Sequence, residues 1–271
     1  MKKCYIQNLA LNVTDNCNLE CDHCLRGARC NNKMSDEVIE AALGQIIGAG
    51  NIAINGGEPT LAIDRIEKII NYIIDNNLFV EELTTTINGT IYSEELLRLF
   101  EEMDKYINCD EVGSAFTISS DKYHIAEIER LGLLDQFKEN VRKYSESKYF
   151  YGLRGIYVKL FREGRAANLD NSITVPLRPM DTFITYVDTN RKFDMENGFC
   201  NIGPLVAIGT DGTITECDAS LEHQKTIYNY GNVLNESIEE NVLRRGKLFT
   251  KPKRMDKATT KVLKKYSTYE K

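Results

Sequence analysis

Over its first 190 residues the chain alternates between two hydrophobic rhythms. Short runs with strand character fall at Ile6–Val13, Asn51–Asn55, Glu82–Ile87, Val112–Ser119, Gly155–Phe161 and Phe183–Val187. Between most of them, apolar residues recur at three- and four-residue spacing. Val38, Ile39, Ala42, Leu43, Ile46 and Ile47 do so, as do Ile63, Ile66, Ile69, Ile70, Ile73 and Ile74. That spacing gathers side chains on one face of a helix, whereas a strand sends successive side chains to opposite faces. Ser35-Asp36-Glu37-Val38 and Ser93-Glu94-Glu95-Leu96 open two of the helices, each with a serine hydroxyl placed to accept an unpaired first-turn N–H. Strand then helix, repeated about every 30 residues, is the pattern of parallel βαβ units. About six units fit, fewer than a full eight-unit barrel of about 250 residues holds. The class is α/β, as a curved partial (β/α)6 barrel or an open doubly wound sheet.

Past residue 190 the rhythm changes. Leu205–Gly209, then Thr210-Asp211-Gly212, then Thr213-Ile214-Thr215 read as a β-hairpin about an Asp-Gly turn, and Ser237–Leu243 as a short helix. The expected organisation is a core over 1–190, a small hairpin-and-helix appendage over 191–246 and a basic tail over 247–271. The tail carries nine Lys and Arg against Asp256 and Glu270, so that residues before it hold −13 of a net charge of −6. An acidic body disfavours wrapping a nucleic-acid backbone; the tail keeps RNA as a secondary option. No apolar run reaches the roughly 18–20 residues of a membrane span, and the opening residues lack the apolar core of a signal peptide. A cytoplasmic protein is expected, its eight cysteines reduced.

Candidate chemistry sits after the first strand. Some twenty residues separate Thr14 from Ser35, and they hold Cys17, Cys21 and Cys24 in the spacing Cys-x3-Cys-x2-Cys. A loop that long inside a compact domain marks function or order imposed by a ligand. Soft thiolates select zinc, cuprous copper or iron–sulfur clusters. Structural zinc and electron-transfer clusters take four ligands, so three leave a position open. Cys30 as a fourth ligand would close the site and make a structural or sensing metalloprotein, with zinc or a cluster. The second strand ends in Gly56-Gly57-Glu58-Pro59. Its two glycines permit close approach to the backbone, and its carboxylate suits a cation. In parallel α/β folds, ligands bind at this edge.

With these two motifs the chain resembles the radical S-adenosylmethionine (SAM) superfamily, over residues 5 to about 190. The resemblance implies a TIM-like partial barrel. It implies that Cys17, Cys21 and Cys24 hold a [4Fe–4S] cluster whose remaining iron is chelated by SAM, with Gly56, Gly57, Glu58 and Pro59 facing the methionyl group and His23 near the adenine. It further places Thr86, Asn88, Ser119 and Asp121 near SAM, and Arg165 at its carboxylate. Cys200, Gly212 and Cys217 resemble the opening of a SPASM/twitch region, which binds auxiliary clusters; this one is truncated, since no cysteine follows Cys217. The implied activity is cleavage of SAM to a 5′-deoxyadenosyl radical that abstracts hydrogen from a peptide or a small polar metabolite. A flavodoxin- or ferredoxin-type donor would supply the electron. A glycyl-radical-enzyme activase shares both motifs. No acid–base residue is assigned, and Lys159 on the expected fifth strand is a candidate substrate contact.

Overall fold

The computed structural model of the chain describes residues 4–107, 113–155, 160–177, 183–187, 199–215, 219–245 and 247–248. Its core is β1 (Cys4–Thr14), α1 (Asp36–Leu43), β2 (Ile46–Gly56), α2 (Ile63–Asp75), β3 (Phe79–Ile87), α3 (Glu94–Ile107), β4 (Ser114–Ser119), α4 (Lys122–Arg130), α5 (Leu134–Ser145) and β5 (Phe150–Arg154). The five strands lie side by side in chain order, all parallel. Short strands follow: β6 (Leu160–Phe161), β7 (Thr174–Val175), β8 (Phe183–Val187), β9 (Phe199–Gly203), β10 (Val206–Ile208) and β11 (Thr213–Thr215). The described part ends with α6 (Leu221–Lys225), β12 (Gly231–Asn232), α7 (Ile238–Arg245) and β13 (Lys247–Leu248).

The helices form where the spacing placed them. Ser35 caps α1 by accepting from Val38 N–H, and Ser93 accepts from Leu96 N–H at the start of α3. Ile66, Ile69, Ile70 and Ile73 of α2 and Leu96, Leu99, Phe100 and Met103 of α3 are fully buried against Leu11, Ile52, Ile54, Leu83 and Ile118 of the sheet. Each such side chain contributes about 1.5–3 kcal/mol on burial. The opposite face of the strands is polar. Thr84 donates to Asn51 (3.0 Å), the Thr86 and Thr117 hydroxyls pair (3.0 Å), and Arg154 donates to Thr86 (3.1 Å).

Three departures have physical causes. Ile46 and Ile47 open β2 rather than closing α1, because α1 stops at Gly44, and Gly48 lies so close to Phe79 that only a glycine fits between the two strands. The strand beside β4 is Phe150–Arg154, not Gly155–Phe161; of the latter, residues 156–159, Lys159 among them, lie outside the described residues. As the last strand of the parallel run, β5 leaves Tyr151 83% exposed, so no inward–outward alternation marks it. Phe183–Val187 is a strand as expected, but it runs antiparallel to β9, which in turn runs parallel to β1.

The 190/191 boundary does not interrupt the sheet. β9 pairs with Cys4–Ile6 of β1, and β10 pairs with Leu9–Leu11 of the same strand. The expected hairpin is present as β10 and β11 about Gly212 (φ +84°), and the expected short helix as α7. Most of the basic tail lies outside the described residues.

Candidate functional site

β1 ends at Thr14, and the loop that follows is folded by its own polar groups. Thr14 Oγ1 donates to Asn32 O (2.8 Å), and Asp15 N–H also donates to Asn32 O (3.0 Å). The Asp15 carboxylate, almost wholly buried, accepts from Arg26 Nη2 (2.9 Å), Asn32 Nδ2 (3.2 Å) and Thr210 Oγ1 (2.7 Å). Two points of the loop itself and one distant segment, the turn between β10 and β11, meet on this one side chain.

A second set of contacts grips the loop from the other side. Arg165 donates from Nε to Cys21 O (2.9 Å), from Nη1 to Gly27 O (2.6 Å) and from its backbone N–H to Cys24 O (2.9 Å). Beside it, Gly164 (φ +54°) lies against the Cys24 and Leu25 carbonyls with no room for a Cβ. Glu163, the preceding residue, is buried and accepts from His223 Nδ1 (2.8 Å) and Ser220 N–H (3.3 Å), while Leu221 N–H donates to Arg26 O (3.2 Å). The C-terminal segment thus braces the loop that carries the cysteines. Replacing Arg165 with alanine deletes two charge-assisted bonds, about 1.5–3 kcal/mol each. Bound iron after desalting should fall several-fold, and lysine, which lacks the guanidinium fork, should restore only part of it.

Cys17, Cys21 and Cys24 line one open cavity at the C-terminal edge of the sheet, with His23, Gly57, Glu58, Thr86, Asn88, Ser119 and Arg165. Leu19, Ile87 and His124 complete its wall. Three other expected residues stand behind the wall. Gly56 pairs with Thr14, Pro59 is buried at the start of a short 3-10 turn, and Asp121 caps α4. Cys30 is exposed and does not line the cavity, which leaves a three-thiol set. Cys200 lies at the far end of β1, and Cys217 lies outside the described residues.

The electrostatics suit a cationic centre. Burial, with the neighbouring thiols, pushes Cys21 up to about 12, and burial pushes Cys17 up to about 11 against the Leu19 N–H that donates to its sulfur (3.4 Å). Cys17 and Cys21 thus resist ionising by themselves, and a bound metal would take their protons' place. Among the described residues, Cys4, Cys200 and Glu239 form the one group of three donor atoms that all lie within 4.8 Å of one another.

Glu58 is fully buried. It accepts from Thr60 N–H (3.1 Å), Thr60 Oγ1 (2.6 Å) and Asn88 N–H (2.7 Å), and so joins the turn after β2 to the end of β3. Burial nevertheless pushes its carboxyl up to about 7 from 4.5. The folded protein then holds this proton more tightly than the unfolded chain does. Its contribution to stability is fully present below pH 4.5 and is lost as pH rises towards 7. Metal-free protein should lose on the order of 3 kcal/mol over that window, and Glu58→Gln should flatten the slope in denaturant titrations. A bound ammonium in the cavity would favour the carboxylate instead.

His124 was readable in the sequence only as the start of a helix. Its Nε2 lies 2.9 Å from Asn88 O, an acceptor, so Nε2 carries the proton and Nδ1 faces Cys21 Sγ at 3.5 Å. Burial holds the ring below the usual imidazole range, hence neutral. Asn88 binds Asn18 (2.7 Å) and Thr90 (2.7 Å) through its side chain, which ties the end of β3 to the cysteine loop. His23 stacks on Tyr123 and faces Asp121 Oδ2 at 3.3 Å, while its buried Nδ1 has no partner. Burial acts to raise Asp121, but His23 and the Tyr123 and His124 N–H groups outweigh it and hold the carboxyl below its ordinary value.

These residues fit a cluster with one open iron and an amino-acid-bearing ligand. Among the described residues three thiols line the cavity without a fourth, Gly57 presents bare backbone, and His23 leaves a polar atom unused. Comparison with known proteins agrees. A model of the Radical SAM superfamily matches residues 11–159, more than half of the chain. GTP 3′,8-cyclase of Clostridium perfringens is 26% identical over 61% of this chain and 51% of its own length. Probable GTP 3′,8-cyclase of Pyrococcus abyssi is 31% identical over 55% of this chain and 46% of its own. The chain thus spans about half the length of the cyclases it matches. The solved structure of native anSMEcpe with bound AdoMet and Cp18Cys peptide shares the fold, with a TM-score of 0.56 at 15% identity, over 97% of this chain and 83% of that one. No described helix is long and apolar enough to cross a membrane. Three cysteines on one loop, the glycine-lined turn beside them, the parallel sheet beneath and the family match together place the chain in the radical SAM superfamily.

Proposed function

We propose that the chain is a radical SAM enzyme acting on a peptide or a small polar metabolite. Cys17, Cys21 and Cys24 hold the [4Fe–4S] cluster, and Gly57, Glu58 and Asn88 lie where SAM would be held. Bound there, the cluster would supply the one electron that reductive cleavage of SAM to a 5′-deoxyadenosyl radical requires, and that radical would abstract the substrate hydrogen. This chain's residues position the partners and exclude water: Arg165 and Asp15 fix the cysteine loop, and Glu58 fixes the turn beside it. The reductant is a low-potential donor of flavodoxin or ferredoxin type, since the task uses the low end of the iron–sulfur range.

The observation that favours a polar substrate is the polar face of the strands. Thr84, Thr86 and Thr117 continue inward from the cavity edge, Thr84 bonded to Asn51, and Asn12 of β1, on the same face of the sheet, has a buried amide with no partner. Buried polar groups without partners reward a ligand that pairs with them. The cyclases named above point to a nucleotide and the peptide-bound structure to a peptide, so both belong in the test. Anaerobically reconstituted protein with dithionite should form 5′-deoxyadenosine from SAM. Either GTP or a peptide pool should accelerate it and pass deuterium to the product from a labelled substrate. No 5′-deoxyadenosine under strict anaerobiosis would refute the reading.

A further inference from the structure

The polar face of the sheet carries one cation that the site described above does not use. Arg154 closes β5, where it stands in register with Ser119 of β4 and its carbonyl accepts from Ser120 N–H (2.9 Å). Its side chain, although exposed, lies along the sheet. Nη1 donates to Thr86 Oγ1 (3.1 Å) on β3, two strands away, so the guanidinium is drawn back across β4, about 10 Å at the usual strand spacing. Thr86 in turn shares a hydrogen bond with Thr117 of β4 (3.0 Å). Thr86 and Ser119 line the cavity that holds the three cysteines, which puts the guanidinium at its rim. Beside Thr117 the face is bare. Thr117 stands in register with Gly152, and among the described residues no atom lies within 4 Å of where a Cβ of Gly152 would be. A φ of +145° keeps that position for glycine.

Elsewhere in the chain guanidinium groups face carboxylates: Arg26 meets Asp15, Arg65 meets Asp36, and Arg142 meets Glu139. Among the described residues Arg154 faces none, and its bond goes to a neutral hydroxyl. The site's own carboxylates are engaged elsewhere, Glu58 by Thr60 and Asn88, and Asp121 by His23 and the first N–H groups of α4. A guanidinium has five N–H donors and no acceptor, in a planar fork that fits two oxygens of a carboxylate or a phosphate. Thr86 and Thr117 hold two hydroxyl protons and use one between them, which leaves the other to donate. A cation, a hydroxyl donor and open space over Gly152 together make a socket for an oxyanion. We propose that Arg154 is a specificity-determining residue that receives a carboxylate or phosphate of the substrate over Gly152, beside Thr86 and Thr117. The proposal rests on the reading of the chain as a radical SAM enzyme and narrows its substrate from polar to anionic.

The test reads binding, so that it stands apart from turnover. Anaerobically reconstituted full chain, saturated with SAM, is dialysed to equilibrium against mixed ribonucleoside triphosphates or the matching nucleosides. A second arm uses a peptide pool before and after methyl esterification of its carboxylates. One anionic form should be held at least about tenfold more tightly than its neutral counterpart, the nucleotide arm identifying a phosphate and the peptide arm a carboxylate. Arg154→Gln should bring that preference to within about twofold of unity, and Arg154→Lys, which keeps the charge but loses the fork, should restore part of it. Arg154 is exposed, so both variants should fold, and SAM affinity titrated in parallel should stay within about twofold of the parent's. The proposal is overturned if neither anionic form is preferred or if the preference survives Arg154→Gln. It is equally overturned if Arg154→Gln weakens SAM binding as much as it weakens the anion, which would give the guanidinium to the carboxylate of SAM. 5′-Deoxyadenosine formation is measured on the same preparations. Its absence refutes the enzymatic reading and leaves the binding preference standing, whereas its presence without a preference refutes only the role of Arg154.

Discussion

Changing Cys17, Cys21 and Cys24 together to alanine should remove the iron–sulfur absorption of the reconstituted protein and reduce 5′-deoxyadenosine formation by more than 100-fold. Loss of a residue that merely supports a metal ligand typically costs 10–100-fold, and here the ligands themselves go. Stability should change little by comparison. The loop is held by Asp15, Arg26, Asn32 and Arg165, whose bonds run to side chains and backbone carbonyls rather than to sulfur. Only Cys21 of the three is fully buried, so three small truncations stay well below the effect of emptying a core position. Iron content and thermal melting of the metal-free protein, measured side by side, separate the two effects.

Gly57→Ala should be among the most damaging single changes outside the cysteines. Gly57 N–H donates to Thr14 O (2.7 Å) and Glu58 N–H to Asn16 O (2.8 Å), so the turn after β2 lies directly on the start of the cysteine loop. A Cβ there would overlap the Asn16 carbonyl and come within 3.0 Å of Asp15 O, both backbone atoms that cannot swing aside. The turn and the loop must part, at about 1–3 kcal/mol or more. SAM affinity should fall at least tenfold, because the displaced backbone is the cavity wall. Gly132→Ala supplies the contrast. Its φ of +70° makes a side chain strained, yet no atom lies within 4 Å, so only about 1 kcal/mol is lost and SAM affinity is untouched. Calorimetric melting and SAM titration of both variants check the pair.

What the sequence disclosed follows from distance along the chain. The cysteine triplet, the Gly56–Pro59 turn, the capped helices and the Asp211-Gly212 hairpin are local patterns, and each lies where its spacing put it. The cavity gathers seven of the ten residues expected beside SAM, while Gly56, Pro59 and Asp121 support it from behind. The contacts that fix the loop were not legible. Asp15 meets Thr210 across 195 residues and Arg165 meets Cys21 across 144, and a single Asp or Arg carries no mark of such a partner. Arg165 shows the limit of carrying a role over by resemblance: at least two of its guanidinium nitrogens serve the loop carbonyls, whatever it offers a ligand. His124 was hidden for a different reason. Directly after the Asp121 cap it reads as an ordinary first-turn residue, and only the folded β3 end brings Asn88 beneath its ring.

The contribution of the C-terminal segment was also invisible to periodicity. β9 and β10 share one edge of β1, at its two ends, so residues 199–208 complete the strand from which the cysteine loop departs. Composition set that segment apart because its strands are only three to five residues long and lack intervening helices. Register, not rhythm, makes it part of the same sheet.

In the proposed site, three protein thiols leave one iron free for the amino-acid end of SAM. Mössbauer spectra of anaerobically reconstituted, iron-57-labelled protein, recorded with and without SAM, address it directly. The expected result is a [4Fe–4S] cluster with one iron site distinct from the other three, whose parameters alone shift when SAM is added. Four equivalent cysteine-bound irons, indifferent to SAM, would contradict it.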